Sequence, residues 1–462
     1  MRRRHAPAAL GRRVVRSRRV RDRPGHAGQG HGRGAGRTAL SAPARRDAGV
    51  VVVGAGPAGA TAAAALAARG VPTLLLDRAR FPRDKPCGGG ARHGLLRRFP
   101  GLAAWLAGRV DLHEIRRVHM ESPSGAAVVA ELDAPLYLTF RRLEFDAALV
   151  DRARNAGARV VEGARVVELQ RGPDGATVRC YDGRAFSAAL VIGADGVNGV
   201  VARAAGLTRG FPDRALAVDT MEETPLSGLA PARADTIYVA YGWRGWPGYG
   251  YVFPKRHHVD AGVGFLLPFF RGLSGGAYAC HAQFLDEARA RGAVRGRSHR
   301  EHFKAYRLPL GGPLARTVGD RVIVCGDAGG FVNAYTGEGI YYAMVTGEHA
   351  AATAAGALAA GDASAAALAG YETRWRAEIG EELADSVRIQ RRLFGHPRLA
   401  DAIIGAAARD RRLCRLFALV ALGEAPLRRH RLEVAWRCGL AMLRRRLRPA
   451  PALGPPPPPA GR

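Results

Sequence analysis

The chain has 462 residues and a formal charge of +30, with 70 lysines and arginines against 40 aspartates and glutamates. That length exceeds a usual single domain and points to two intertwined domains or more, with ample chain to bury a core. Six widely scattered cysteines with no CxxC pair exclude a disulfide scaffold and a cysteine zinc site, and they suit a reducing cytoplasm.

The basic excess invites a nucleic-acid reading, but its location argues against one. Much of it lies in residues 1–47 and in the C-terminal stretches RRLCRLF, LRRHRLEV and MLRRRLRP. No aromatic residue interrupts the N-terminal run, so bases would have no stacking platform. This segment reads as a solvated, disordered tail or as the result of an upstream start codon, and no nucleic-acid partner is expected. The only lysines are Lys85, Lys255 and Lys304, a bias that looks genomic.

In chain order, GVVVV predicts a buried strand, GAGPAGATAAAALAARG a glycine turn opening a helix that ends at Gly70, and VPTLLLDR a second strand, together a βαβ start. The uncharged run Ala48–Ala68 superficially copies a signal or anchor, but it is mostly alanine and glycine and is broken by GAGPAG. IRRVHMES and GAAVVAEL, split by PSG, predict a hairpin. FDAALVDRARNAGARVV predicts a helix and a strand, and the segment through GADG a meander whose last strand is buried. TIYVAYGW, GYGYVFP and HHVDAGVGF read as strands. DRVIVCGDAGG repeats the pattern of buried strand and glycines, and GEGIYYAMVTGEHAAATAAGALAAG predicts a long helix. From about Ala365 the chain reads as helical, and PALGPPPPPAGR as a polyproline tail.

Gly54, Gly56 and Gly59 form GxGxxG directly after a strand and at a helix start, where amides and the helix dipole meet a pyrophosphate. Asp77 ends the next strand at the offset of a carboxylate that binds a ribose hydroxyl, so a dinucleotide is the expected ligand. The second turn, Cys325 to Gly330 followed by Thr336-Gly337-Glu338-Gly339-Ile340, is read as serving the other end of the same molecule. Gly193-Ala194-Asp195-Gly196 closes the middle strand. No metal site or hydrolytic triad is expected. His257 and His258 are read as neighbours in one strand that point to opposite faces, at the surface.

GAGPAG with Asp77, Arg142 four residues before Asp146 in RLEFD, GADG, and GDAGGFVNAYTGEGIYYAM together resemble the flavoprotein superfamily of p-hydroxybenzoate hydroxylase. FPRDKPCGGG, GYGYVFPK and NAYTGEGIYYAM resemble its geranylgeranyl reductase family specifically. The resemblance runs from about Val50 to Arg376. It implies an α/β fold: a Rossmann-like FAD-binding domain (48–110, 140–206 and 300–360) interleaved with an antiparallel-sheet substrate domain (111–139 and 207–299). A helical C-terminal region (361–448) would follow, with tails at 1–47 and 449–462.

Carried over by position, Gly54, Gly56, Pro57, Ala58 and Gly59 would hold the FAD pyrophosphate, Asp77 and Arg78 the adenosine ribose, and Arg142 the phosphate side. Asp195 and Gly326 would adjoin the cofactor, Asp327 would contact the ribityl chain or pyrophosphate, and Gly337, Gly339 and Ile340 would lie against the flavin. Cys87, Gly88 and Gly89 would lie beside the isoalloxazine, where the family keeps a cysteine. Tyr249, Tyr251, Phe253 and Pro254 would line the substrate site or fill the sheet core, and Cys87, Tyr249 and Tyr251 are the candidate proton donors. Lys85 and Lys255 fall inside family motifs, where an ammonium is expected to act as a point charge or simply be solvated.

The sequence departs from the family twice: Gly199 and Ala202 replace the usual serine and arginine after GADG, with Arg203 one place along, and Tyr251 replaces a tryptophan. The resemblance implies an FAD-dependent reductase of polyprenyl double bonds, with an aromatic or polyketide monooxygenase as the alternative. NAD(P)H or a ferredoxin would supply electrons. The expected partner is an isoprenoid or lipid and the expected location cytoplasmic. The basic helices after Ala400 would pack on the flavin domain or lie on an anionic membrane.

Overall fold

The structure is a computed structural model and describes residues 46–447; the tails expected at 1–47 and 449–462 lie outside it but for the last two residues of the first. The strand Ala48–Val53, AGVVVV, is apolar on both faces, as a strand covered on both sides must be. It pairs in parallel with Ala185–Gly193 on one side and Thr73–Leu76 on the other. Arg159–Val161 and Val322–Val324 extend this parallel sheet, and Val318–Gly319 closes one edge antiparallel. The hairpin Val166–Gly172 and Gly175–Cys180 adds to Ala185–Gly193, which gives the expected meander.

The helix Pro57–Ala67 covers one face of the sheet. Proline at its first position suits the helical φ and has no N–H to leave unpaired. Its alanines keep it thin, so the long helix Ile340–Ala359 crosses it in near-backbone contact. A Cβ at Gly347 would lie 2.3 Å from the Ala58 carbonyl oxygen.

A second sheet of seven strands runs in the order Phe303–Pro309, Leu216–Pro225, His258–Leu266, Gly248–Pro254, Thr236–Tyr241, Arg117–Glu121, Ala127–Glu131. All its pairs are antiparallel except Thr236–Tyr241 with Arg117–Glu121. Because strand side chains alternate, one face carries Tyr238, Val252, Ala261, Val263 and Phe265 onto the helix Gly276–Ala290. The other face carries Asp219, Tyr249, Tyr251 and Phe253 toward the first sheet. The break expected at 300 falls inside this sheet, since Phe303–Pro309 is its edge strand. His257 lies in the turn before the strand that starts at His258, so the two do not share a strand as expected.

The helices Pro397–Ala407 and Arg411–Ala421 pack against the strand Ala127–Glu131, and their Ala400, Ile404, Ala407, Cys414 and Ala418 join one apolar cluster with Val118, Met120, Ala130, Ile237 and Val239 of the antiparallel sheet. Packing on the flavin domain had been expected; the hairpin Arg117–Glu131 offers the apolar strip instead. Asp410 caps the second helix, accepting from the Arg412 and Leu413 amides. No helix among the described residues is long and apolar enough to cross a membrane.

Candidate active site

A cavity of about 490 Å³ opens between the two sheets, lined by the strand ends of the first and the inner face of the second. At one end lies the glycine turn. Gly54 has φ +98°, and a Cβ there would lie 2.4 Å from the Ala194 carbonyl oxygen. A Cβ at Gly59 would sit 1.8 Å from the Gly54 oxygen. Gly56 differs: a Cβ there would meet nothing nearer than the Arg83 guanidinium at 3.8 Å. Packing therefore fixes Gly54 and Gly59, whereas Gly56 leaves room for a ligand to reach the backbone. Gly54, Gly56, Pro57 and Ala58 line the cavity, as do Asp77 and Arg78. Asp77 accepts from the Ala55 amide (2.7 Å) and the Ala79 amide (2.8 Å), which ties the second strand end to the turn.

Sequence reasoning missed Arg83. Its Nη2 pairs with the fully buried Asp146 at 2.8 Å, while its Nη1 is buried without a partner among the described residues. An orphaned N–H on the guanidinium that faces Gly56 is what an anion at the helix start would satisfy. Arg142, expected on the phosphate side, lines the cavity but holds Asp146 with two hydrogen bonds of 2.8 and 2.6 Å. Burial pushes the Asp146 carboxyl up, but Arg142, Arg83 and Lys85 outweigh it and leave the group below the usual carboxylate range.

The second glycine turn forms the facing wall. Asp195 accepts from the Val200 and Val201 amides (2.6 and 3.0 Å) at the start of the helix Val201–Ala204, and its other oxygen is buried without a partner among the described residues. Burial raises its carboxyl. Gly199, at the departure from the family pattern, leaves room for this carboxylate, since a Cβ there would lie 2.2 Å from it. Gly326 has φ +58° and packs on Ala58. Asp327 faces Lys85 at 3.8 Å, and Lys85 also sits over the Tyr306 ring at 4.5 Å. Gly337 and Gly339 line the cavity as the loop enters the helix at Ile340, with Tyr249 donating to the Thr336 carbonyl at 2.5 Å. Glu338, between them in the lining, forms a buried pair with Arg92 at 2.9 Å; Arg92 also meets Glu382 of the C-terminal helices at 2.8 Å.

Cys87, Gly88 and Gly89 bring the third wall. Cys87 lies beside Arg142, and a Cβ at Gly88 would touch the Phe253 ring at 3.1 Å. Gly89 has φ +66° and abuts the buried Lys255. Tyr249, Tyr251 and Phe253 all face the cavity, and the Tyr251 and Phe253 rings lie 4.8 Å apart. Pro254, expected among the substrate residues, is buried in the sheet, with its carbonyl accepting from Thr139. Lys85 thus lines the cavity beside Asp327, whereas Lys255 is buried behind the glycine turn. No group of three or more histidine, cysteine or acidic side chains suited to a metal occurs among the described residues.

The open backbone at Gly56, the unpartnered Arg83 N–H and the helix start at Pro57 fit an FAD pyrophosphate, with Asp77 placed for the ribose. The fold and this cradle define a flavin-dependent oxidoreductase. A family described as an FAD binding domain matches residues 47–387. The chain is 32% identical over 360 residues to digeranylgeranylglycerophospholipid reductase 2 of Methanothermobacter thermautotrophicus, covering 75% of this chain and 88% of that one. It is 30% identical to the menaquinone reductase of Mycolicibacterium smegmatis over 74% of this chain and 83% of that one. Its fold resembles a geranylgeranyl bacteriochlorophyll reductase-like protein of Thermoplasma acidophilum, with a TM-score of 0.70 at 19% identity over 83% of this chain and 98% of that one. The protein belongs to the geranylgeranyl reductase family of FAD-dependent oxidoreductases.

Proposed function

We propose that the protein saturates carbon–carbon double bonds of a polyprenyl chain carried by a diphosphate, a quinone or a lipid. The observation that carries this reading is the contact of Phe253 with Gly88, which joins an aromatic wall directly to the cysteine–glycine turn. Relatives named for geranylgeranyl lipid and menaquinone reduction support it. A polyprenyl chain binds by area: at about 0.8 kcal/mol per buried CH₂, a long chain gains on the order of ten kcal/mol before ordering costs. Such binding needs few polar contacts, so the head group leaves little mark on the sequence.

Bound FAD supplies the hydride. The chain's residues do the rest. Gly54, Gly56, Arg83 and Asp77 would hold and orient the cofactor, with Asp195, Asp327 and the loop of Gly337 and Gly339 lining the rest of its cavity. The aromatic wall of Tyr249, Tyr251 and Phe253 aligns the alkene and excludes water. Cys87, Tyr249 and Tyr251 are among the groups in the cavity wall that bear an exchangeable proton. The electron donor is external, a reduced nicotinamide that binds transiently or a ferredoxin, because the sequence holds a single dinucleotide fingerprint.

The protein works at a membrane surface. On the helix Leu427–Leu447, Leu432 is 88% and Trp436 63% exposed, one turn apart and among arginines. An exposed tryptophan on a basic helix suits the boundary between anionic head groups and acyl chains.

The test is anaerobic. The FAD-loaded protein is reduced, and geranylgeranyl diphosphate, a menaquinone or a geranylgeranyl glycerolipid is added while flavin absorbance is followed. Reoxidation by one of them without oxygen is the expected result. A flavin that stays reduced with all three until oxygen enters would favour the monooxygenase instead.

A further inference from the structure

An isolated alkene is not polarised, so saturating it needs a proton as well as a hydride. The inner face of the antiparallel sheet holds acids that the sequence motifs did not single out. Asp219 and Asp260 are both buried, on neighbouring strands, and the Tyr251 phenol lies between them. Its oxygen is 3.2 and 3.3 Å from the two Asp219 oxygens and 3.4 Å from Asp260 Oδ1. Glycine makes the space: a Cβ at Gly262 would lie 2.9 Å from the Tyr251 oxygen. Behind the phenol, Asp260 Oδ2 meets Lys255 Nζ at 3.3 Å, and Lys255 meets Glu223 at 3.0 Å. Glu223 accepts from Arg141, whose side chain is 30% exposed. A continuous polar path thus runs from the solvent edge, through Glu223, Lys255, Asp260 and Tyr251, to Asp219 in the cavity wall.

Resting on the reductase reading, we propose that Asp219 delivers the proton to the alkene and that Tyr251, Asp260 and Lys255 recharge it from the surface. The π bond breaks as one carbon takes the hydride and the other takes the Asp219 proton. Both hydride electrons come from reduced FAD, which leaves oxidised and is reduced again by the nicotinamide or iron–sulfur donor. Asp219, now a carboxylate, takes the phenolic proton of Tyr251 as Tyr251 takes one from Asp260. Asp260 is refilled through Lys255 and Glu223.

Acid strength favours Asp219 over the phenols. Burial pushes Asp219 up to about 7, so it still holds a proton near neutrality, whereas burial carries Tyr249 and Tyr251 well above the usual phenol value. Burial likewise raises Asp260 in spite of Lys255. The groups that face Asp219 are Tyr249 and Tyr251, Asp260 behind them, Tyr306 on the other flanking strand, and Lys85 from the loop, which alone draws its value down by charge.

Two readouts test this. In the protein without substrate, infrared titration should show a carboxylic-acid carbonyl band with a midpoint near 7 that is absent in Asp219→Asn. If that band is missing from the wild type, the proposal falls. In the reduced holoenzyme, reoxidation by the prenyl substrate should slow as pH rises through the same midpoint. Asp219→Asn should be about a hundredfold slower and lose that pH dependence, and Tyr251→Phe should slow repeated turnover more than the first one. A wild type that reoxidises while Asp219→Asn matches it in rate and pH profile would overturn the proton role and leave the reductase reading standing. A wild type that no prenyl substrate reoxidises would remove that reading, and the proton role with it.

Discussion

Gly59 lies so close to Gly54 that a Cβ on the one would stand 1.8 Å from the carbonyl oxygen of the other, whereas one on Gly56 would meet only the Arg83 guanidinium at 3.8 Å. The two substitutions should therefore fail differently. Gly59→Ala should break the turn, lowering both melting temperature and flavin content. Gly56→Ala should leave the melting temperature of the FAD-free protein unchanged and still weaken FAD binding, measured by flavin fluorescence titration. Equal effects on both quantities would contradict the assignment of Gly56 to ligand approach.

Arg92 is buried between Glu338, in the glycine loop, and Glu382, in the C-terminal helices. Removing one member of such a cluster leaves uncompensated buried charge. Arg92→Met should cost about 3 to 5 kcal/mol in urea unfolding. A loss below about 1 kcal/mol would mean that the two acids are neutral or solvated there.

Asp219 gives stability a pH dependence of known sign. Burial raises its carboxyl from the model-compound value of 3.8 to about 7 in the folded chain. Between those values the folded state binds a proton that the unfolded chain has released, so stability falls as pH rises through the window. The full difference is on the order of 4 kcal/mol. Asp219→Asn removes the titration, so in the FAD-free protein it should gain stability relative to wild type between about pH 4 and pH 8. A difference that stays constant across that range would show that Asp219 titrates normally.

The surface of the last described helix makes a separate prediction. Trp436 fluorescence should shift to the blue on vesicles containing anionic lipid, and the shift should weaken with salt. Trp436→Ser with Leu432→Ser should abolish the shift and reduce vesicle co-sedimentation. Unchanged binding would place the membrane contact elsewhere.

The glycine turns were legible because Gly54 and Gly59 answer to local geometry that few other residues tolerate, and the strands and the hairpin because alternation is a local signal. Asp219 was not legible. Its partner Tyr251 is thirty-two residues along the chain, and only the register of three strands brings them together. Arg83 carried no signal either, since its role depends on Asp146 lying across the cavity wall. The lysines were half legible: motifs shared with the family held Lys85 and Lys255, but only the fold separates Lys85, beside Asp327, from Lys255, sealed behind Gly89. The resting place of the C-terminal helices was misread because an amphipathic pattern names a buried face and not the surface that receives it.

A reductase adds hydrogen across an alkene and inserts no oxygen. The most direct measurement is the mass of the product formed from a polyprenyl substrate by the fully reduced protein in a sealed anaerobic vessel. The expected product is heavier by two hydrogen atoms for each bond reduced. A substrate recovered unchanged without oxygen, and heavier by one oxygen atom once air is admitted, would contradict it.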